Sequence, residues 1–347
     1  MPAEPASLKS FQHTVPMRPT IIAAMLTFGL LPDVEAQGTG GGTPIGTSAA
    51  TLPYAVVEDP LQIPPEANFG EVAAVAVDRR GHLYVFNRGP RPLMEFDASG
   101  KYVHELAPGL VSHAHSVRVD REGYLWLVDD ADHHVIRLDA RGRVVMVLGR
   151  RGSEGETQDL FNRPTDVAVN SRGEIFVTDG YVNSRVVKFS REGAFLFAWG
   201  SKGSGPGQFD TPHAVGIDSQ DHVYVADREN GRIQIFDAEG RFLSQWTGFV
   251  RPQGLFIDSD QSVYVGDVRR IVKLNVEGQV LGIFGERGRG RGQFIGLHGL
   301  AIGPGGELYT AELINWRVQK LMPAPTKGPT YDREDVRDDG REARTSR

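Results

Sequence analysis

The chain contains no cysteine. Disulfides, thiolate metal ligands, thiol nucleophiles and a lipidated cysteine anchor are therefore excluded together. Positive charge is also scarce: 38 Lys and Arg stand against 44 Asp and Glu, for a formal net charge of −6. Such a balance offers no basic face, so no nucleic-acid partner is expected. Long apolar runs are missing as well. Residues 21–32 (IIAAMLTFGLLP) are too short to span a bilayer comfortably, and no stable membrane anchor is expected. What is present is 347 residues, 40% of them hydrophobic, enough for one large β domain or two ordinary ones.

The apolar run has another use. Arg18 precedes it, and Val34-Glu35-Ala36 places small residues where signal peptidase needs them. Residues 1–36 thus read as a signal peptide or a non-native extension; a start at Met17 gives a compact signal sequence. Export to the periplasm or medium is the corresponding expectation. Residues 37–50, rich in Gly and Thr, read as a flexible linker. Residues 324–347 are charged, with almost no large apolar side chains, and read as a disordered tail.

Between them, residues 51–323 repeat. An apolar run, a polar turn and a second run with an aromatic recur as VRVDREGYLWLV, VAVNSRGEIFVT, VGIDSQDHVYVA, LFIDSDQSVYVG and LAIGPGGELYTA. The aromatics Tyr84, Trp126, Phe176, Tyr224, Tyr264 and Tyr309 are spaced by 42, 50, 48, 40 and 45 residues. Polar turns between β-branched and aromatic runs signal hairpins. Third and fourth strands follow, such as RIQIF and FLFAW. Four antiparallel strands per period predict an all-β, six-bladed β-propeller. The last copy lacks a clear fourth strand, and Tyr54-Ala55-Val56-Val57 is expected to supply it from the N-terminal side and close the ring.

Eleven residues before each aromatic lies one equivalent position. It holds Ala73, His115, Thr165, His213, Gln253 and His298 in order. First strands line a propeller's channel, so histidines in alternate blades point at one another with threefold pseudosymmetry. Ten histidines in the chain make one prespecified triple a chance of about 2 × 10⁻⁵, rising to the order of 10⁻³ across the many positions a repeat offers. Three neutral imidazoles with an open fourth position suit catalytic zinc; a plug of hydrogen-bonded imidazoles is the metal-free alternative. His113 shares the face of His115 and is a candidate substitute or supporting group. His133 and His134 read as solvated turn residues. The turns after the second strands carry Arg88 and Arg228, four residues past their aromatics, and Tyr181, five past its own; all three would crowd the histidines' end of the channel. An Arg fork suits a carboxylate, and a phenol beside a dication and a guanidinium suits a general base. Arg185, Arg232 and Arg317 recur at one position and read as structural. The loops GSKGSGPGQFDTP and GERGRGRGQFIGL lead into strands rather than a helix, so they read as connections and not as phosphate cradles.

The repeats resemble the NHL family. The stretch RPTDVAVNSRGEIFVTDGYVNSRVVKFSREGAFLFAWG, with GQFDTPHAVGI and VADRENGRIQIF, resembles peptidyl-α-hydroxyglycine α-amidating lyases, six-bladed propellers that release glyoxylate and a peptide amide. The resemblance runs from about Phe69 to Leu321. It implies zinc on His115, His213 and His298, a catalytic Tyr181, and active-site Arg88 and Arg228. It also implies a structural calcium in the channel, with backbone carbonyls of Val75 and Val117 as ligands; the carboxylate ligand expected after the third histidine is replaced by Gly299. Animal members carry disulfides that this chain cannot form. The implied substrate is a peptide or small molecule ending in α-hydroxyglycine, and the implied state is a monomer. The alternatives are a non-enzymatic propeller that binds a protein or peptide, and a metal-dependent propeller hydrolase, which would favour carboxylate and Asn ligands.

Overall fold

The computed structural model describes residue 45 and residues 49–324, an all-β ring with no helix among them. The signal-peptide reading of residues 1–36 lies outside the described residues, as do most of the linker and the tail beyond residue 324.

Six four-stranded antiparallel sheets follow one another in chain order. Their inner strands are Val72–Val77, Ala114–Val119, Asp166–Val169, Pro212–Ile217, Pro252–Ile257 and Leu297–Ile302. The sixth sheet takes its outer strand from Tyr54–Val56, which pairs with Arg317–Pro323. The ring thus closes with strands from both ends of the repeat region, and the edge of Arg317–Pro323 in the last blade is covered.

The second strand of every blade is buried along its whole length. Blades stack face to face, so both faces of these strands meet apolar neighbours, which explains their near-continuous hydrophobic sequence. The core accordingly divides into six apolar clusters among the described residues, one at each junction of adjacent blades. The periodic aromatics lie in this layer, none more than 5% exposed. The cluster joining Ala301, Tyr309 and Val318 to Val72, Val75 and Val85 is the one that sutures the last blade to the first.

The glycine-rich loops are clasps. Phe209 and Phe294 are fully buried, and each backs onto a glycine, Gly200 or Gly285, where a Cβ would lie within 2.7 Å of the ring. Gln208 and Gln293 each accept a loop N–H at 3.0 Å. Arg232 donates to the carbonyls of Ser204, Gly205 and Gln208, and Arg317 does the same for Arg289, Gly290 and Gln293. Arg185 holds the corresponding loop of its own blade through Glu156, Thr157 and Leu160. The recurring arginines therefore fasten inter-blade connections, anchored on the buried Asp179, Asp227 and Glu312.

A chain that begins at residue 58 lacks the closing strand and bares the edge of Arg317–Pro323. Its thermal midpoint should fall by roughly 5–15 °C against a chain beginning at residue 49. Equal midpoints would mean that the closure contributes little.

Candidate metal centre

Five inner strands carry a register shift at the same place. Pairing with the second strand skips one residue between Val72 and Ala74, Ala114 and Ser116, Pro212 and Ala214, Pro252 and Gly254, and Leu297 and Gly299. The skipped residues are Ala73, His115, His213, Gln253 and His298. In the remaining blade, Thr165 and Asp166 share Thr178 as a partner. A β-bulge re-aims its extra residue away from the ladder. Here it turns one side chain per blade toward the axis, and in alternate blades that side chain is an imidazole.

The other three positions have a complementary task. His115 Nδ1 donates to the carbonyl of Thr165 at 2.5 Å, His213 Nδ1 to that of Gln253 at 2.7 Å, and His298 Nδ1 to that of Ala73 at 2.7 Å. Each histidine is thus fixed by the bulge carbonyl of the next blade, around the full ring. With Nδ1 protonated, Nε2 is left as a lone pair facing inward. The three ring centroids are 4.8–4.9 Å apart, and one nitrogen from each ring lies within 4.8 Å of the other two.

Burial keeps these rings neutral. It holds His115 down to about 4 despite nearby Asp130, with Arg88 adding to the effect. His213 and His298 are pushed well below the usual histidine range, first by burial and then by Arg228, Arg88 and their fellow imidazoles. The Nε2 of His298 is buried with no hydrogen-bond partner. Three unprotonated nitrogens, one of them orphaned, are what a zinc ion requires of its ligands. The residues fit that ion.

Tyr181 covers the triad. Its hydroxyl lies 3.0 Å from Nε2 of His115 and 3.3 Å from Nε2 of His213. The turn that brings it there needs Gly180, where a Cβ would stand 1.8 Å from the carbonyl oxygen of Pro212 on the next blade. The Arg228 guanidinium sits 5.3 Å from the Tyr181 ring centre, and its Nε is paired with Glu229 at 2.8 Å. Arg88 donates to the carbonyl of Ala114, next to His115, at 3.1 Å and pairs with Glu71 at 2.6 Å. The structure therefore gathers Tyr181, Arg228 and Arg88 with the three histidines.

Two groups at this mouth, Arg163 and Asp130, escaped the repeat argument. The Arg163 guanidinium lies 4.8 Å from the Tyr181 ring centre, and its backbone carbonyl accepts the Tyr181 N–H at 3.3 Å. Arg163 holds a φ of 61°, an uncommon backbone for arginine. It is pinned there by its fork on Asp130, 3.1 and 2.5 Å, and by its N–H on His133 Nδ1 at 3.0 Å. Asp130 is fully buried, and its other oxygen takes the Nδ1 of His113 at 2.5 Å. Burial alone would raise this carboxyl; the His113 hydrogen bond, with His115 and Arg163, outweighs it and holds the group well below the usual carboxylate range. His113 is thus a partner of Asp130 rather than a fourth ligand. The solvated reading of His133 and His134 is corrected: His134 is buried at the start of a third strand, and His133 is occupied by Arg163. Arg163 stands two residues before the Thr165 position, as His113 stands before His115, and that shared offset is the signal that could have singled it out.

The calcium expectation is also corrected. Val75 and Val117 line the channel cavity, but so does Arg118, whose cation would repel a second one. At Gly299 a Cβ would lie 2.9 Å from Ala74 Cα and 3.0 Å from the Ala73 oxygen, so the missing carboxylate has no room. Calcium needs six to eight oxygens, and the residues here do not fit it.

A family model described as NHL repeat matches residues 161–189 and 209–236. The rat protein named peptidylglycine alpha-amidating monooxygenase is 48% identical over 101 residues, covering 27% of this chain and 10% of that protein. A Caenorhabditis elegans protein named probable peptidyl-alpha-hydroxyglycine alpha-amidating lyase is 29% identical over 201 residues, covering 50% of this chain and 57% of that one. The chain thus spans about a tenth of the rat protein and little more than half of the nematode one. A solved gluconolactonase from Xanthomonas campestris superposes with a TM-score of 0.58 at 15% identity, over 81% of this chain and 98% of that one, a likeness of fold.

The depressed histidines make the metal-free protein sensitive to acid. The unfolded chain binds protons on these rings below about 6.5, and folded His115 binds its own only near 4. Stability is therefore full above about 6.5 and lost as pH falls toward 4, with about 3 kcal/mol at stake for His115 alone. Urea midpoints of metal-free protein should drop across that window, and a variant with all three histidines changed to Gln should show a flatter profile. Parallel profiles would count against buried neutral imidazoles.

Proposed function

We propose that the chain is a peptidyl-α-hydroxyglycine α-amidating lyase of the NHL-repeat propeller type, which cleaves N-acyl- or peptidyl-α-hydroxyglycines to the amide and glyoxylate. The observation that carries the reading is the Tyr181 hydroxyl set against the free nitrogens of His115 and His213. A phenol oxygen there lies beside whatever the triad binds.

His115, His213 and His298 would hold a zinc ion, which supplies Lewis-acid polarisation of the α-hydroxyl when bound. Tyr181, as phenolate, takes the hydroxyl proton. The oxygen lone pair forms the aldehyde C=O as the C–N bond breaks, and the electron pair leaves with the amide nitrogen. The phenol then returns its proton to that nitrogen, so that no net proton is gained or lost. Arg163 and Arg228 lie over the Tyr181 ring, 4.8 and 5.3 Å from its centre, where their charge would offset the negative charge that develops on the departing nitrogen. Arg88 and Arg228 are the proposed anchors for the glycolate carboxylate; holding it sets the C–N bond beside the base. Export is part of the same reading and rests on the apolar run and the Val34-Glu35-Ala36 site.

The direct assay is glyoxylate release from an N-acyl-α-hydroxyglycine. Turnover should require about one equivalent of zinc and vanish in His213→Ala. A zinc-loaded wild-type protein that releases no glyoxylate would sink the proposal. Tyr181→Phe removes only the oxygen and should lower kcat by about 10²–10⁴ with little change in KM, whereas Arg228→Met should chiefly raise KM. An unaffected kcat in the phenylalanine variant would remove Tyr181 from the base role.

A further inference from the structure

Three residues beyond the His115 bulge, on the same inner strand, Arg118 extends into the channel. Its Nε donates to Asp166 at 3.0 Å, its Nη2 pairs with the other oxygen of Asp166, and Nη2 also donates to the carbonyl of Leu255 at 2.9 Å. Asp166 is 2% exposed. It also accepts the Ser116 hydroxyl, the Val167 N–H at 2.9 Å and the Val215 N–H at 3.0 Å. One ion pair therefore ties together blades two, three, four and five.

The place of this pair matters. Leu255 stands two residues past its bulge, as Val75 and Val117 stand past theirs. Its carbonyl meets the Arg118 guanidinium in the channel, while the Val215 N–H of the preceding blade turns to Asp166. A buried carboxylate beside an inward carbonyl calls for a positive charge. We propose that the Arg118 guanidinium supplies it, so that the channel beneath the histidines is locked by an ion pair in the position a divalent cation would otherwise hold. Two further features agree. Every acceptor oxygen of Asp166 is already committed to protein donors, and glycine at 299 leaves its strand too close to Ala74 for any carboxylate. A guanidinium also has a geometric advantage over a spherical ion here. Its planar fork reaches a carboxylate in one blade and a carbonyl in a distant one together. The inference is independent of the reaction proposed above.

The test uses the full chain with its zinc in place. Calorimetric titration with calcium chloride should show no saturable binding, elemental analysis after equilibration in calcium should find well under one calcium per chain, and 5 mM calcium (above the ~10⁻⁴–10⁻³ M dissociation constants of weak calcium modules) should leave the thermal midpoint unchanged. Arg118→Met should lower that midpoint by roughly 5–15 °C, and Arg118→Lys should recover part of the loss. If Arg118→Met does not fold, the lysine variant and the wild-type titration still decide. One calcium bound per wild-type chain with a raised midpoint would overturn the inference, and so would an Arg118→Met protein as stable as wild type.

Discussion

Three hydrogen bonds from imidazole Nδ1 to the bulge carbonyl of the neighbouring blade carry the rest of the site. Each fixes a tautomer, and a fixed tautomer leaves Nε2 unprotonated and aimed at the axis. They exist only because the bulge lifts both a side chain and a carbonyl out of the ladder at the same level in every blade. Without the register shift, the histidines would follow the pleat, and the ring would present no convergent nitrogens.

The same layer joins stability to chemistry. Blade-to-blade apolar clusters hold the ring, but at the channel the ring can close only around polar groups. Three desolvated imidazoles, the orphaned nitrogen of His298 among them, are unfavourable without a ligand. Beneath them, Arg118 and Asp166 satisfy each other and the surrounding backbone. The channel is thus sealed by a protein ion pair on one side of the triad and faces Tyr181 on the other. Charge at the mouth is likewise organised from below: buried Asp130 aims Arg163, and Arg163 and Arg228 bracket the phenol that lies on the histidines.

Much of this was legible before any coordinates. Periodic aromatics predicted the blades because each must fill a blade junction, and the missing sixth outer strand pointed to Tyr54–Val56 because the last blade would otherwise be one strand short with its third strand bare. The alternation of histidine at one repeat position predicted the triad because equivalent positions in a ring share a radius. The turn arginines and Tyr181 were identified by the irregularity of their turns. Arg163 was not, because it precedes its strand and only the folded turn of Tyr181 shows what it faces. Asp130 escaped notice because nothing local distinguishes a solvated Asp from one that is fully buried against Arg163 and His113. His134 read as exposed for the same reason.

The sequence by itself determined the periodicity, the number of blades, the strand that closes them and the three axial histidines, since each depends only on spacing within a repeat. The tertiary structure decided which nitrogen of each ring is free, how Arg163 and Asp130 support the mouth, and which cation occupies the channel. Those depend on contacts between blades dozens of residues apart. Arg118 illustrates the division: along the chain it is a polar residue in a strand, and only ring closure sets it against Asp166 and the carbonyl of Leu255, where its charge excludes a second cation.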